Sequence, residues 1–382
     1  MRVDTNFFGT VPMPDAGDPT VAPTARRYGN DDVIACYENM LHWSQTADAL
    51  GFDTVWLTEH HFQHEGYEVL PNLIMFGVHG AARTKELRFG QMFNVVPQWH
   101  PLRLAEDFAL ADVLTGGRME FGVGRGTVPR EAWALGTVVA SGDNEMSAEH
   151  DRINREVFEE AMEVIKLAWT QERFSYTGKH YSFPPVGIPD RGSLVTELTL
   201  VPRPTREVEI YQPITSPDTM TYAPAVGHKG IYWQQPPSTL KRKWDNYAEV
   251  AAAAGRTVAP GEDRALVLNV HVGATREKAM AAVRNAHDEF CRFLAPYGRF
   301  RNYLLPDGTN RPFGFQPELE DSMEQRIAAV GTPDDVAQVI GDFKELLDLQ
   351  HLVVFLEFPG LTRDQLDEQL HLVAEEVMPL VG

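Results

Sequence analysis

The sequence is poor in cysteine and has no long apolar run. Among its 382 residues are only two cysteines, Cys36 and Cys291, which stand far apart and outside any C-x-x-C pattern. This argues against a disulfide framework and a zinc-thiolate site, and it fits a reducing cytoplasm. No window offers the roughly 18 uninterrupted apolar residues that a membrane-spanning helix needs. The first residues, MRVDTNFFGT, contain no apolar stretch before a cleavage site, so we expect a soluble cytoplasmic protein.

Basic residues are scarce relative to acidic ones. Lys and Arg together number 34 against 54 Asp and Glu, which gives a formal net charge of −20. Such an excess of negative charge repels phosphate backbones and anionic lipid headgroups. We therefore expect neither nucleic acid nor a membrane among the partners, and we expect a small molecule as the substrate.

The sequence does contain a regular alternation of β-rich runs and amphipathic helical segments. Eight runs predict strands, at residues 3–9, 52–58, 87–96, 119–123, 208–214, 230–234, 265–272 and 352–358. The segments between them carry apolar residues at helical spacing, as at Val33, Tyr37 and Leu41. Eight strands, each followed by a helix, predict a (β/α)8 TIM barrel. A two-domain doubly wound sheet is the alternative.

Two segments interrupt this alternation. Residues 170–206 are rich in Pro, Gly and alternating aromatics, and residues 273–330 hold a helix followed by a run broken by Gly and Pro. We interpret the chain as a single domain over residues 1–382 with insertions after strands 4 and 7. Long loops in compact domains are commonly lids or binding loops, so we expect residues 298–316 to form a mobile lid.

Polar and aromatic side chains collect at the predicted carboxyl ends of the strands, where a barrel of this type has its active site. They are Glu59, His60 and His61 after strand 2, Asn94, Trp99 and His100 after strand 3, Arg125 after strand 4, Thr215, Ser216 and Thr219 after strand 5, Trp233 at strand 6, His271 on strand 7 and Glu357 after strand 8. Histidines, an arginine, a helix cap and large aromatics suit an anionic, aromatic cofactor.

Two of these strand ends suit a phosphate group. Arg125 lies in FGVGRGTV, where the third glycine comes one residue too early for the G-x-G-x-x-G dinucleotide fingerprint. Its guanidinium suits phosphate oxygens, although an ion pair with a surface acid explains the motif equally well. Ser216, Pro217 and Thr219 predict a capped helix start that exposes N–H groups to an anion. An ordinary helix cap has the same pattern.

The run TEHHF, residues 58–62, places three ionisable groups directly after an apolar strand. Consecutive residues at a strand end point to opposite sides, so we expect only one of His60 and His61 to face the cavity. No H-x-H or H-E-x-x-H spacing is present, which favours a proton-handling role over a metal site.

Several motifs together resemble the bacterial luciferase-like flavin monooxygenases, including their luciferase α subunits. They are GFDTVWLTEHHF, LRFGQMFNVVPQWHPLRLAEDFALADVLTGGRMEFGVGRG at residues 87–126, TSPDT, VGTPDDV and a VMP near the C-terminus. The resemblance covers nearly the whole chain. It implies a (β/α)8 barrel that uses reduced FMN and O2 through a flavin hydroperoxide.

The resemblance also implies roles for individual residues. His60 corresponds to the catalytic histidine, which we expect to titrate near neutral pH, with Glu59 orienting the site and His100 as the next candidate. The implied cofactor-binding residues are Arg125, Gly126, Ser216, Thr219, Met92, Phe93, Asn94 and Trp233. Of these, Arg125, Ser216 and Thr219 would contact the FMN phosphate, and Met92 and Phe93 would be joined by a non-prolyl cis peptide. Phe7, Phe93, Trp99 and Trp233 are expected to line a dry pocket beside the flavin.

The expected function is FMN-dependent monooxygenation of a small, largely apolar organic substrate by a homodimer. No nicotinamide site is recognisable, so a separate flavin reductase is the implied partner. Gly124 stands where luciferase carries a reactive cysteine, and the insertions differ from those of light-emitting enzymes, so we do not expect luminescence. Three alternatives remain: a deazaflavin-dependent oxidoreductase of the same barrel family, a metal-dependent barrel hydrolase and a non-catalytic flavin-binding protein.

Overall fold

Eight parallel strands form a closed barrel in the computed structural model, which describes residues 1–382 except 142–144, 302, 304, 306 and 307. The strands are β1 (Arg2–Phe7), β2 (Thr54–Leu57), β3 (Arg88–Gln91), β4 (Met119–Gly124), β5 (Ile210–Pro213), β6 (Lys229–Tyr232), β7 (Arg264–Val272) and β8 (His351–Phe355). Each strand pairs with the next in this order, and β8 pairs with β1. The predicted (β/α)8 barrel is confirmed, because closure leaves no open edge of the kind that a doubly wound sheet has.

Helices surround the barrel. The longer ones are α1 (Asn30–Leu50), α2 (Leu73–Ala81), α3 (Pro101–Thr115), α4 (Glu145–Thr170), α5 (Pro217–Ala225), α6 (Pro237–Ala253), α7 (Arg276–Leu294), α8 (Pro333–Leu347) and α9 (Arg363–Leu372). Short helical turns lie at Pro23–Ala25, Val96–Gln98, Pro129–Ala134, Ala295–Tyr297, Leu319–Glu324, Val373–Val377 and Met378–Val381. None of the helices found in the described residues is long and apolar enough to cross a membrane.

The third predicted strand, residues 87–96, is divided in two. β3 ends at Gln91, and Asn94–Val95 then pairs with the end of β4 rather than continuing along β3. Between them the Met92–Phe93 peptide is cis, as the resemblance implies. A further strand at Ala328–Gly331 pairs with the carboxyl half of β7. The sequence did not predict this strand, because it lies in a segment broken by polar residues, Gly and Pro.

Side chains of each strand alternate between the barrel interior and the surrounding helices. Phe7 belongs to the outer apolar cluster, and its ring lies 5.7 Å from that of Trp43 on α1. Phe8 belongs to the inner cluster, with its ring 5.4 Å from Phe355 and 6.2 Å from Trp233. The expectation that Phe7 lines the pocket is therefore wrong, and Phe8 takes that position.

The two interruptions of the βα pattern have different forms. Between α4 and β5 the chain forms two small hairpins, Tyr176–Thr177 with Ser182–Phe183 and Pro189–Asp190 with Ser193–Leu194. Between β7 and α8, helix α7 covers the carboxyl end of the barrel, with the ring of Phe290 5.2 Å from that of Phe355.

A buried ion pair fastens α7 to the N-terminal loop. The carboxylate of Glu289 accepts hydrogen bonds from Nη1 of Arg26 at 2.5 Å, from the N–H of Gly17 at 2.8 Å and from the hydroxyl of Tyr67. Burial by itself would raise the pKa of Glu289, but Arg26 and Tyr67 lower it. This ion pair therefore holds helix α7 in a fixed position over the carboxyl end of the barrel.

Residues 298–316, which were expected to form a lid, follow helix α7. Phe300 and Tyr303 are buried, whereas Phe313 is 59% exposed. The hydroxyl of Tyr303 lies 3.0 Å from Oγ of Ser322. Pro306, one of the residues on which the expectation rested, lies outside the described residues. The start of the segment is therefore anchored, and its mobility stays a prediction.

Gly122 on β4 tests the close contact between β3 and β4. A Cβ atom at this position would lie 1.8 Å from the carbonyl oxygen of Gln91, a backbone atom that cannot move aside. We expect Gly122→Ala to lower the free energy of unfolding by about 3 kcal/mol or to prevent folding. Gly341 on α8 is the control, because a Cβ there meets nothing within 4 Å. Gly341→Ala should raise stability by roughly 0.5–1 kcal/mol. Equal unfolding midpoints of the two variants in urea would contradict the close contact.

Candidate active site

A buried carboxylate joins the loops that follow β2 and β3. Glu59 is 2% exposed. Its Oε1 accepts hydrogen bonds from Nε1 of Trp99 at 3.0 Å and from Nε2 of His61 at 3.1 Å, and its Oε2 accepts one from the N–H of Val95 at 3.2 Å. Among the described residues, Nδ1 of His61 has no hydrogen-bond partner. Glu59 therefore orients His61 and leaves one ring nitrogen available.

His60 lies between two other carboxylates. Its Nδ1 lies 2.9 Å from Oε1 of Glu131, and its Nε2 lies 3.1 Å from Oε2 of Glu68. Burial alone would lower the pKa of His60, but the two carboxylates outweigh it and raise the pKa to about 10. The expectation that His60 titrates near neutral pH is wrong, because the carboxylates stabilise the imidazolium form. The side chains of His60 and His61 are 16% and 17% exposed, so bonding rather than exposure distinguishes them.

Charged residues of alternating sign connect the end of β4 to the start of α5. Nη1 of Arg125 lies 2.9 Å from Oδ1 of Asp151, and Nη1 of Arg155 lies 3.0 Å from Oδ1 of Asp218. Nη2 of Arg155 also lies 3.9 Å from Oδ2 of Asp151. The guanidinium of Arg155 therefore lies beside the N-terminus of α5, and that of Arg125 is linked to it through Asp151. A helix N-terminus with guanidinium groups nearby is a favourable place for an anion. Sequence reasoning missed Arg155, whose one signal is its i, i+4 spacing from Asp151 on α4.

The start of α5 is a reciprocal cap, as predicted. Oγ of Ser216 accepts a hydrogen bond from the N–H of Thr219 at 3.3 Å. Oγ1 of Thr219 in turn accepts from the N–H groups of Thr215 and Ser216, both at 3.1 Å. The hydroxyl of Thr219 is thus already engaged in the cap, and an anion would share these donors with it.

Small residues and aromatic rings line the remaining strand ends. A Cβ on Gly126 would lie 2.8 Å from Cγ1 of Val95. Nε1 of Trp233 donates to Oδ1 of Asn269 at 2.9 Å, and Met92 is buried while Phe93 is half-buried. Asn94 donates from Nδ2 to the carbonyl of Gly122 at 3.0 Å. These residues lie in the loops after β3, β4 and β6, around one end of the barrel.

His100 lies apart from this group. It is exposed at the N-cap of α3, and its ring contacts that of Phe183 in the inserted hairpin, 5.3 Å away. Among the described residues no contact links it to Glu59 or His61. The structure therefore does not support His100 as a further catalytic residue.

Several buried polar atoms in the loops and strand ends at the carboxyl end lack a hydrogen-bond partner among the described residues. They are Oδ1 of Asn94, Oε1 of Gln98, both amide atoms of Gln234, Oε1 of Gln235 and Nδ1 of His271. Leaving such an atom buried and unpaired costs about 1–3 kcal/mol, so a ligand or water normally satisfies it. Unpaired amides, aromatic rings and paired guanidinium groups fit a polar ring system that carries a phosphate, as FMN does. In the described part of the chain, no three His, Cys, Asp or Glu residues are placed to hold a metal ion.

A family model of luciferase-like monooxygenases matches residues 16–350. The chain belongs to this family. The predicted resemblance is confirmed, and this luciferase-like protein is an enzyme of a flavin-dependent monooxygenase family.

Three relatives of this luciferase-like monooxygenase each cover 90% or more of its length. The alkanal monooxygenase alpha chain of the Kryptophanaron alfredi symbiont is 24% identical over 362 residues, which cover 90% of this chain and 92% of that one. The oxygenating constituent of 3,6-diketocamphane monooxygenase from Pseudomonas putida, a type II Baeyer-Villiger monooxygenase solved with FMN, is 22% identical with a TM-score of 0.75 and covers 100% and 99% of the two chains. An F420-dependent secondary alcohol dehydrogenase solved with an F420-acetone adduct is 19% identical, with a TM-score of 0.64 and full coverage of both chains. The two solved structures share the barrel fold.

The pKa of His60 tests the arrangement of carboxylates around it. Glu131→Gln removes one of the two negative charges, so the pKa of His60 should fall from about 10 by on the order of one to two units. The measurement is an NMR titration of the ring nitrogens. Glu65→Gln is the control, because that carboxylate pairs with Arg130 at 2.9 Å and with His64, not with His60.

The same shift has a consequence for stability. The pKa of His60 in the folded chain is raised above 6.5, its ordinary value. The protonated ring therefore contributes to the free energy of unfolding in full below about pH 6.5, and this contribution is lost as the pH rises through about 10. The stability difference between wild type and Glu131→Gln should shrink over that window. A His60 ring that titrates near pH 6.5 in the wild type would contradict the arrangement.

Proposed function

We propose that the protein is the oxygenating component of an FMN-dependent monooxygenase that acts with O2 on a small, largely apolar organic substrate. One observation carries this proposal: Arg155 lies beside the N-terminus of α5 and is linked through Asp151 to Arg125, on the same barrel end as the Glu59–His61 pair. Anion binding and proton transfer would thus take place at the same end of the barrel. The FMN complex of the Pseudomonas putida relative supports FMN as the cofactor.

Arg125, Arg155 and Ser216 would hold the phosphate of FMN. Charge-assisted hydrogen bonds from a guanidinium to phosphate are among the stronger ones in proteins, and a helix N-terminus adds its positive end. Asp151 and Asp218 keep the two guanidinium groups in place and are exposed enough, at 36% and 44% of their side chains, to turn outward. The proposed phosphate group would therefore take the place of these carboxylates beside guanidinium groups that are already in position.

Apolar residues would exclude water from the reaction. Bound reduced FMN would supply the two electrons for the activation of O2, with one oxygen atom transferred to the substrate and the other released as water. Phe8, Phe290 and Phe355 pack against Trp233 with ring centroids 5.4–6.2 Å away. Such a lining disfavours the competing release of peroxide and suits an apolar substrate.

His61 rather than His60 would handle the proton. His61 has its Nε2 held by Glu59 and its Nδ1 unpaired among the described residues, which is the arrangement of an oriented acid or base. Both ring nitrogens of His60 are engaged by carboxylates, so it has no nitrogen free for the substrate. We assign His60 the role of fixing the loop after β2 by its positive charge.

The reduced flavin would come from a separate reductase, and we place the enzyme in the cytoplasm as a homodimer. The Pseudomonas putida relative is described as an oxygenating constituent, which supports a system of two components. A deazaflavin-dependent oxidoreductase is the second candidate, since an F420-dependent dehydrogenase shares the fold. Such an enzyme would transfer a hydride and insert no oxygen atom, so formation of an oxygenated product from reduced FMN, O2 and a panel of aldehydes, terpenes and sulfonates separates the two.

The phosphate site is tested by comparing FMN with riboflavin, which lacks the phosphate. Arg125→Ala and Arg155→Ala should each weaken FMN binding by roughly tenfold or more and leave riboflavin binding nearly unchanged, because each removes one charge-assisted contact. Titration calorimetry gives both affinities. Arg103→Ala is the control, since Arg103 pairs with Glu106 and Asp107 on the exposed face of α3. If neither variant discriminates FMN from riboflavin, the phosphate lies elsewhere.

The two histidines are separated by single-turnover oxidation of reduced FMN with O2. His61→Ala should lower product formation by about 10²- to 10⁴-fold, the usual effect of losing a general acid or base, while O2 is still consumed and released as hydrogen peroxide. His60→Ala should mainly lower stability, because it leaves Glu68 and Glu131 buried without their cation. Product and peroxide are quantified for both variants. Uncoupling by His60→Ala with normal coupling in His61→Ala would restore the assignment made from the sequence.

A further inference from the structure

Gln234 is a buried glutamine whose amide has no partner. The residue is 7% exposed, and neither Oε1 nor Nε2 forms a hydrogen bond among the described residues. Its backbone has a φ of 58°, a conformation that residues other than Gly, Asn and Asp rarely adopt. A buried primary amide without a partner is unfavourable, so a ligand or water normally satisfies it.

Another buried glutamine shows how this chain normally treats such a group. Gln369 on α9 is 3% exposed. Its Oε1 accepts from the N–H of Val272 at 2.7 Å, and its Nε2 donates to the carbonyl of Val272 at 2.9 Å. The two residues are of the same type and similar burial, but only one is satisfied by the protein. The amide of Gln234 is therefore available to something that binds.

The residues on either side of Gln234 in the chain belong to the candidate site. Trp233, the preceding residue, packs in the aromatic lining and donates to Asn269. Gln235, the following residue, donates from Nε2 to the carbonyl of Ile214 at 3.0 Å, and Ile214 is followed by the loop that caps α5. Gln234 thus lies between the aromatic side of the site and its anion-binding side.

A carboxamide presents an acceptor and a donor side by side, which is the complement of a ring edge where an N–H adjoins a carbonyl. The pyrimidine edge of a flavin has this pattern. We propose that Gln234 recognises the pyrimidine edge of the bound flavin, accepting from its N3–H and donating to the neighbouring carbonyl. This inference rests on the proposed function only in requiring a flavin, and deazaflavins carry the same edge.

The test is the substitution Gln234→Met, which keeps the length of the side chain and removes the amide. FMN and riboflavin should both bind roughly tenfold or more weakly, and by the same factor, because two hydrogen bonds to the ring are lost and the phosphate is not involved. The protein without flavin should be at least as stable as the wild type, since no protein hydrogen bond is removed and a buried polar group disappears.

Gln369→Met is the matched control. It removes two hydrogen bonds within the protein, so it should lower the melting temperature without flavin and leave flavin affinity unchanged. N3-methylriboflavin is the matched ligand. Its N3 cannot donate, so it should bind the wild type more weakly than riboflavin does, and Gln234→Met should remove most of that preference.

The outcomes separate this inference from the proposed function. Tight binding of FMN and riboflavin by Gln234→Met, equal to that of the wild type, would overturn the role of Gln234 and leave the proposed function standing. A wild-type protein that binds neither FMN, riboflavin nor a deazaflavin would overturn both.

Discussion

Closure of the barrel between β1 and β8 is the constraint on which the rest of the molecule depends. Residues 2–6 pair in register with residues 351–355, so strands from the two ends of the chain lie side by side. Closure gives every strand two neighbours, fixes which side chains face inward and brings all eight carboxyl ends to one rim. Loops far apart in sequence can then supply one site, as we propose for the loops that carry Glu59 and Arg125.

The fold could be predicted because its signals are local. Each barrel strand is a short β-rich run, and each predicted run overlaps one of the eight strands. The exceptions have physical causes. The run at 87–96 looks continuous but changes partner after Gln91, and Ala328–Gly331 is a strand that owes its pairing to the extended carboxyl end of β7. A β-rich run can be recognised from local sequence, but the strand with which it pairs cannot.

The site was predictable by residue type and less so by role. The motif that contains Glu59, His60 and His61 follows β2, as expected. The ionisation of His60, however, depends on Glu68 and Glu131, which reach it only through folding of the loop after β2 and the turn after β4. One further error and one omission have a similar origin. The inward position of Phe8 instead of Phe7 is decided by the phase of β1, and neither the pattern nor the spacing of the sequence reveals that a buried amide has been left without a partner.

Those unpaired amides have a consequence for the life of the protein in the cell. A protein whose buried amides have no hydrogen-bond partner is less stable without its ligand. A ligand that bonds to these amides stabilises the folded state by mass action. Small changes of this kind alter the fraction of molecules open to proteases and hence abundance. If a ligand bonds to Gln234 and its neighbours, copies of the protein without that ligand would be degraded first. The steady-state level of the protein would then follow the supply of the ligand.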